Sequence, residues 1–261
     1  MIKQQKEWFA NWFDSPYYHI LYQNHNEQSA KDFIDNLFQK LTPQYATLHP
    51  TSYYKILDLA CGKGRHSRYM ASKGFDVTGT DLSENSIRYA RQFEAENLSF
   101  FEHDMRKPFR INYFDYIFNI FTSFGYFEKD EDNVTALKCV HDGLKDDGTF
   151  ILDYFNATWV RHTMKPNYRE TAGDIVFHIQ KHIENGHIYK TISFVGKAEE
   201  NGHKIKKNYT FQEKVRLFTL SDFEQLFEKA DLKIVDKYGD YQLNNFDEQA
   251  SNRLIIKAIK K

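Results

Sequence analysis

The chain has 261 residues, 41% of them hydrophobic, and a formal net charge of −1 at pH 7. This length suits one α/β domain with a smaller cap, and the near-zero charge gives no electrostatic reason to expect nucleic acid or an anionic membrane as a partner. No apolar run approaches the ~20 residues that span a bilayer, and two cysteines, Cys61 and Cys139, are too few for a disulfide framework. We therefore expect a cytoplasmic protein.

The first 52 residues are predicted to be helical from their caps and apolar spacing. Trp8 and Trp12 fall on one side of a first short helix, where exposed aromatic rings would support a homodimer. Pro16 suits the first position of the next helix, and Pro43 ends the one after it.

From Tyr54 onward, short apolar strands alternate with helices. Strands are predicted at Lys55–Ala60, Phe75–Thr80, Leu98–Glu102, Phe114–Phe121 and Thr149–Tyr154, with helices at Arg65–Lys73, after Ser83 and around Asp132–Leu144. This alternation implies right-handed crossovers and a parallel sheet. Two last strands, Leu232–Tyr238 and Arg253–Ile259, are expected to pair at the sheet edge, after a helix opened by a capping box at Ser221–Glu224.

A different pattern occupies residues 157–219. The tetrapeptide Glu-Asn-Gly-His occurs at Glu184–His187 and again at Glu200–His203, between segments of alternating polarity. Asn-Gly between such segments is a strong hairpin signal, because a type I′ turn needs positive φ at both central residues. These residues are therefore predicted to form a three-stranded antiparallel insertion.

A glycine turn and a distant acid carry the first functional signal. Gly62 and Gly64 lie where the first strand gives way to a helix, so a ligand can approach the backbone closely there. Asp81, at the end of the second strand, is placed to accept hydrogen bonds from both ribose hydroxyls of a nucleoside. This pair of features fits either a nicotinamide dinucleotide or S-adenosylmethionine.

Three details favour S-adenosylmethionine. Ser67 stands where a third glycine would let a pyrophosphate approach the helix. Asp58, inside the first strand motif, suits the ammonium group of an amino-acid ligand better than a diphosphate. Asp104, after the third strand, provides a carboxylate that can accept from an adenine amino group.

From about Tyr53 onward the chain resembles the class I S-adenosylmethionine-dependent methyltransferases. Leu57–Gly64 is similar to their motif I, Asp81 to their ribose-binding acid, Asp104 to their adenine contact and Phe114–Asn119 to their motif IV. The resemblance implies a doubly wound, seven-stranded Rossmann-like α/β sheet, mostly parallel with one antiparallel edge hairpin strand. It also implies these cofactor-binding residues: Tyr18, Tyr22, Asp58, Ala60, Gly62, Gly64, Arg65, Asp81, Leu82, Asp104, Met105 and Phe121.

A weaker resemblance connects the chain to small-molecule methyltransferases of the sugar N-methyltransferase and glycine N-methyltransferase-like groups. It implies a helical N-terminal lid at residues 1–52, a cofactor domain at residues 53–156 and 220–261, and the antiparallel insertion over the acceptor site. Tyr18 and Tyr22, one helical turn apart, can then face the methionine end of the cofactor. Candidate acceptor-pocket residues are Phe121, Tyr126, Phe127, Tyr154, Asn156, Arg216, Tyr238, Asp240 and Tyr241.

The expected reaction is in-line methyl transfer to an N or O nucleophile of a small molecule, yielding S-adenosylhomocysteine, with no metal. Asn119–Phe124 lacks the Asn/Asp-Pro-Pro-Tyr pattern of enzymes that methylate DNA base amines, so nucleic acid is not expected as the acceptor. His178 and His182 share a strand face without a third ligand nearby, and His19, Asp240 and a tyrosine hydroxyl are the candidate bases. The alternatives are an NAD(P)-dependent oxidoreductase and a non-catalytic S-adenosylmethionine-binding protein.

Overall fold

The computed structural model describes residues 12–22, 27–41, 54–200 and 203–261. The helices are α1 Pro16–Leu21, α2 Glu27–Leu41, α3 Arg65–Ser72, α4 Glu84–Ala90, α5 Asp130–Gly143, α6 Ala157–Thr163 and α7 Leu220–Lys229. The strands are β1 Lys55–Leu59, β2 Asp76–Asp81, β3 Leu98–Glu102, β4 Phe114–Asn119, β5 Leu144–Phe155, β6 Asn167–Ala172, β7 Ile175–Glu184, β8 His187–Glu200, β9 His203–Arg216, β10 Leu232–Tyr238 and β11 Arg253–Lys260.

Seven strands form the large sheet, in the order β10-β11-β5-β4-β1-β2-β3. Strands β3, β2, β1, β4 and β5 are parallel, whereas β11 runs antiparallel to both β5 and β10. The predicted Rossmann-like sheet with one antiparallel strand is therefore confirmed. The chain order reverses between β1 and β4, and in sheets of this kind ligands bind at the carboxyl ends of the strands beside that reversal.

Apolar side chains cover both faces of the large sheet. On one face, Phe150 and Leu152 of β5 belong to the same buried cluster as Phe223 and Phe227 of α7. On the other face, Phe33 of α2 belongs to a buried cluster with residues of β1, β2 and β4. The sheet is thus a rigid layer between helices, which fixes the positions of the strand ends.

The small sheet has four antiparallel strands in the order β6-β7-β8-β9. The predicted three-stranded insertion was wrong by one strand, because the sequence of β6, Asn-Tyr-Arg-Glu-Thr-Ala, is too polar to show a strand pattern. Asn185 and Gly186 have φ of 46° and 70°, as a type I′ hairpin requires. The second Asn-Gly pair, at residues 201–202, lies outside the described residues, although Glu200 and His203 on either side of it are paired in register.

The N-terminal segment packs on the small sheet. The Ser15 side chain caps α1, and Pro16 occupies a first-turn position as predicted. Trp12 and Leu21 are 1% and 2% exposed and belong to one cluster with Phe177 and Phe194. Trp12 is therefore a core residue and not part of an exposed dimer surface; Trp8 lies outside the described residues.

One helix start differs from its prediction. The capping box of α7 joins Thr219 and Asp222, and it begins two residues before the predicted Ser221–Glu224 box. Both pairs place a hydroxyl three residues before an acid, so the sequence pattern alone does not choose between them.

Candidate cofactor site

The backbone turn that follows β1 leaves space beside it for a ligand. Ala60, Gly62 and Gly64 all have positive φ, at 64°, 55° and 75°. A Cβ on Gly64 would lie 2.5 Å from the Phe100 ring, so only glycine fits where α3 begins. A Cβ on Gly62 would meet nothing within 4 Å, so the backbone there is open to close approach by a ligand.

The Asp81 carboxylate lies beside this turn at the end of β2. Its Oδ2 accepts from the Gly62 backbone N–H at 2.8 Å, and its Oδ1 accepts from the Ser83 N–H at 2.7 Å. Burial raises the pKa of this carboxyl, and the backbone N–H groups of Ser83 and Gly62 partly offset that effect. Each oxygen has a second acceptor site, so the group can still accept two hydroxyl donors from the cavity.

Asp58 has a different position from the one expected. It is 1% exposed, and its Oδ2 accepts from the Ser67 hydroxyl at 2.5 Å. Its side chain does not line the cavity described below, because it lies under the turn and ties β1 to α3. Ser67, at the third-glycine position, is explained by the same hydrogen bond.

Asp58 also predicts a pH dependence of stability. Burial raises the pKa of Asp58 to about 6, so the folded state favours the protonated carboxyl. Its contribution to the free energy of unfolding is complete below the ordinary pKa of 3.8 and is lost as the pH rises through 6. Asp58→Asn keeps an acceptor for Ser67 and removes the buried charge. We expect the variant to match wild type near pH 4 and to gain up to about 3 kcal/mol in free energy of unfolding at pH 7. Urea unfolding across this range, with exposed Asp147→Asn as control, is the test; a variant less stable than wild type at pH 7 would contradict it.

The chain after β4 has a second strained turn. Phe121 and Thr122 both have φ of 60°, a costly conformation for residues with bulky or branched side chains. Asp153 of β5 holds them: its Oδ2 accepts from the Phe121 N–H at 2.8 Å, and its backbone carbonyl accepts from the Thr122 N–H at 3.0 Å. Arg253 of β11 completes the support by donating to Asp153 at 2.8 Å and to the Thr122 hydroxyl at 3.0 Å.

These strand ends surround one cavity with about 1020 Å³ of empty space, including its open mouth. Predicted cofactor residues that line it are Tyr18, Ala60, Gly62, Asp81, Leu82, Asp104, Met105 and Phe121, and predicted acceptor residues are Tyr126 and Phe127. Lining residues that were not predicted include Phe13, Leu59, Ser83, Ser86, His103, Thr122, Ser123, Phe124 and Gly125. Most of these residues come soon after a strand end, so their closeness in sequence to β2, β3 or β4 could have identified them as lining residues. Phe13 had no such signal, because its place depends on how the N-terminal segment docks.

Asp104 lies on the cavity wall but already has a strong partner. Burial opposes its ionisation, yet the Arg106 side chain donates to both of its oxygens and keeps the pKa of Asp104 below its ordinary value. The Arg106 backbone N–H donates to the same carboxylate at 3.0 Å. The group is therefore an ionised acceptor in a fixed position, with less remaining capacity than Asp81.

Several other predicted cofactor residues do not line the cavity. Tyr22 faces the small sheet, where its hydroxyl donates to Glu213 at 2.7 Å. The Arg65 guanidinium lies over the Phe121 ring, with 5.4 Å between its central carbon and the ring centroid. Gly64 shapes the turn from behind, against Phe100.

Most predicted acceptor residues are engaged elsewhere in the structure. Tyr154 is fully buried and donates to the Arg216 carbonyl. Asn156 caps α6 and donates to the carbonyls of Glu248 and Ser251, each at 2.8 Å. The Arg216 side chain lies at the β7–β8 hairpin, 3.6 Å from the carboxylate of Asp130.

The last three acceptor candidates follow β10. Tyr238 is buried and donates to Asp236, and the Asp240 carboxylate accepts from the backbone of Gln242 and Asn244. Tyr241 packs against the Phe121 ring and donates to Asp153 at 3.3 Å, so it supports the cavity wall from behind. Asp240 is thus engaged within its own turn, whereas the base candidate His19 does line the cavity.

His19 is a neutral imidazole at pH 7. Burial, followed by the nearby charge of Lys63, lowers its pKa to about 4. A pKa this far below the ordinary value also makes the ring a weaker base than an exposed histidine.

Within the described residues, no group of three or more His, Cys, Asp or Glu side chains is placed to hold a metal ion. His178 and His182 are exposed on the outer face of β7, and His182 stacks on Tyr189. No described helix is long and apolar enough to cross a membrane.

Comparison with known proteins agrees with this geometry. Residues 56–148 match the family model described as "Methyltransferase domain". The Bacillus subtilis strain 168 protein YqeM is 25% identical, over 79% of this chain and 84% of its own. The dTDP-3-amino-3,4,6-trideoxy-alpha-D-glucopyranose N,N-dimethyltransferase of Streptomyces venezuelae is 23% identical, over 78% of this chain and 82% of its own.

Among solved structures, an S-adenosylmethionine-dependent methyltransferase from Clostridium acetobutylicum ATCC 824 superposes with a TM-score of 0.73 at 20% identity, covering 97% of each chain. The chain has the fold of the class I S-adenosylmethionine-dependent methyltransferases. Residues 56–148 form a methyltransferase domain, and the comparisons support an S-adenosylmethionine-dependent methyltransferase over the NAD(P)-dependent oxidoreductase alternative.

Proposed function

We propose that this enzyme transfers a methyl group from S-adenosylmethionine to an N or O nucleophile of a small molecule, at the cavity bounded by the β1, β2, β3 and β4 ends. The observation that carries the proposal is the placement of the Asp81 carboxylate beside the open backbone of Gly62, on the wall of one cavity. The aromatic character of the rest of the wall supports a small acceptor, as does the sugar substrate in the name of the Streptomyces venezuelae relative.

The residues present fit this cofactor. Asp81 would accept from the two ribose hydroxyls, Asp104 and Met105 would contact the adenine, and Tyr18 would lie toward the methionine end. When bound, S-adenosylmethionine supplies a methyl carbon already activated by a positive sulfur. The protein therefore has to align the acceptor with that carbon and exclude water, as an apolar wall containing Phe13, Phe121 and Phe124 does.

A protonated acceptor would need a base. His19 lines the cavity and its ring is neutral, but a pKa of about 4 makes it a weak base that does not deprotonate an alkylammonium ion, whose pKa is several units higher. An amine acceptor would therefore have to enter the cavity as the free base. A neutral nucleophile would need only alignment.

We assign a role to each part of the chain according to whether its residues line the cavity. Residues 53–156 and 220–261 bind the cofactor, residues 1–52 cover it as a helical lid, and residues 157–219 form the insertion. No described residue of 157–219 lines the cavity, so the insertion acts on the acceptor site indirectly, through the lid and through the backbone N–H of Arg216, which donates to the carbonyl of the wall residue Gly125.

Two measurements test the proposal. Calorimetric titration with S-adenosylmethionine should show one site per chain, and a panel of small amines and alcohols should give S-adenosylhomocysteine with at least one acceptor. Cofactor binding without product from any amine or hydroxyl compound would favour the non-catalytic alternative.

Replacing Asp104 is expected to weaken cofactor binding less than replacing Asp81. We expect Asp104→Asn to weaken S-adenosylmethionine binding by about three- to tenfold, because one amino-group contact is involved and asparagine keeps an acceptor oxygen. Calorimetry on the folded variant measures this change. A loss larger than that of Asp81→Ala would show that the adenine lies elsewhere in the cavity.

A further inference from the structure

Within the described part of the chain, the small sheet reaches Tyr18 on the cavity wall through the rings of the N-terminal segment. The backbone N–H of Arg216 in β9 also donates to the carbonyl of Gly125 on the wall, at 2.9 Å. Tyr18 lines the cavity, and its ring lies 5.6 Å from Trp12 and 4.8 Å from Tyr22. Its hydroxyl donates to no described residue, so ring packing sets its position, including a contact with Phe13 at 5.0 Å. Whatever fixes Trp12 and Tyr22 therefore helps to fix Tyr18.

One carboxylate holds both rings. Glu213 of β9 is 8% exposed, and its Oε1 accepts from the Trp12 indole N–H at 2.7 Å and from the Tyr22 hydroxyl at 2.7 Å. Lys190, its cross-strand neighbour on β8, lies 3.5 Å from the other oxygen. The Lys190 ammonium also donates to the Tyr22 hydroxyl and lies over the Tyr22 ring.

The segment has a separate attachment to the cofactor domain. The Asp14 carboxylate accepts from the Ser83 hydroxyl at 2.8 Å and from the Asn85 backbone N–H at 3.2 Å, at the start of α4. Residues 12–22 therefore bridge the two sheets. On the insertion side, Glu213 accepts hydrogen bonds from residues at both ends of the bridge, and the Tyr17 hydroxyl donates to the Lys197 carbonyl of β8 at 2.6 Å.

We propose that Glu213 is a positioning residue for methyl transfer, which holds Tyr18 at the cavity by anchoring Trp12 and Tyr22 to the small sheet. The positioning role rests on the proposed function, whereas the anchoring can be tested without any ligand. An ionised acceptor that receives two donors in a buried environment binds them more strongly than a neutral one would. Its loss is expected to loosen the segment at both Trp12 and Tyr22 and not at one side chain alone.

Hydrogen exchange on the full chain without ligand tests the anchor. In Glu213→Ala, we expect amides of residues 12–22 to exchange about tenfold faster or more, because two buried hydrogen bonds are lost, while β1 to β5 keep their protection. Gln212→Ala, at an exposed position on the opposite face of the same strand, should leave this exchange unchanged. Wild-type protection of residues 12–22 in folded Glu213→Ala would overturn the proposal.

Matched variants separate anchoring from general stability. Glu213→Gln keeps an oxygen for both donors and should restore most of the protection, whereas Trp12→Phe and Tyr22→Phe each remove one donor and should raise exchange partway. If the alanine variant does not fold, these two variants provide the same test. Adding Tyr22→Phe to Glu213→Ala should have almost no further effect; additive effects would show that the two residues act independently and would overturn the anchor.

The kinetic constants of the Glu213 variants then test the positioning role. We expect Glu213→Ala to lower kcat by about tenfold, with a smaller change in KM for S-adenosylmethionine, and Glu213→Gln to recover most of it. Unchanged kcat in a variant with a loosened lid would overturn the positioning role alone. If the wild-type protein binds neither S-adenosylmethionine nor S-adenosylhomocysteine, the proposed function fails and the positioning role fails with it. If the wild-type protein binds the cofactor but hydrogen exchange of residues 12–22 is unaltered in Glu213→Ala, only this inference is overturned.

Discussion

Replacing Asp81 with alanine is expected to weaken S-adenosylmethionine binding by about ten- to a hundredfold, because a carboxylate that accepts two hydroxyl donors is lost. The substitution also removes the acceptor of the Gly62 and Ser83 backbone N–H groups, which shape the cavity wall. Asp81→Asn should fall between wild type and alanine, since its one oxygen can still accept from a backbone N–H and a hydroxyl, whereas its NH2 group can accept from neither.

Calorimetry measures the affinity, and circular dichroism verifies the fold of each variant. Glu102→Ala, exposed at the register position next to Asp81 on β3, is the matched control and should bind like wild type. An unchanged affinity in a folded Asp81→Ala protein would remove Asp81 from the cofactor site.

Arg253→Met is expected to cost about 3–5 kcal/mol of unfolding free energy at pH 7, because it leaves the Asp153 carboxylate buried without its ion-pair partner. Asp153 is 0% exposed, and burial already raises its pKa in spite of Arg253. Without the guanidinium this pKa rises further, so the carboxyl protonates more readily and the deficit shrinks as pH falls.

Urea unfolding of wild type and variant at pH 5 and pH 7 measures this loss. The double variant Asp153→Asn with Arg253→Met should recover most of the stability at pH 7, since no uncompensated charge remains. Cofactor affinity should fall in the single variant, because Arg253 also fixes Thr122 on the cavity wall. A loss below about 1 kcal/mol would show that Asp153 is protonated at neutral pH even in the native protein.

The sequence predicted the large sheet well because its evidence was local. Each parallel strand is a short apolar run, and the glycine turn and Asp81 stand directly at strand ends, where topology alone brings them to one cavity. The sequence did not predict β6 because its residues are mostly polar, and the alternation of apolar and polar residues that indicates a strand is found in its partner β7.

Most of the acceptor candidates lie away from the cavity, for a different physical reason. Tyr154, Asn156 and Tyr238 were chosen because they lie at or just after strand ends, but position along a strand does not say which face a side chain points to or which partner it finds. Tyr154 and Tyr238 turn inward to buried partners, and Asn156 is used as a helix cap. The positive φ of Phe121 and Thr122 was equally invisible, because Asp153 and Arg253, which hold that conformation, come from strands far along the chain.

The position of β11 has a consequence for the order of events during synthesis. Residues Arg253–Lys260 lie between β5 and β10, so a strand that is synthesised after both of its neighbours occupies an interior place in the large sheet. Until it emerges, β5 has an open edge of apolar residues, a kind of surface on which nascent chains aggregate. We therefore expect the sheet to close only after Arg253–Lys260 has left the ribosome, and nascent chains halted before Arg253 to depend on chaperones.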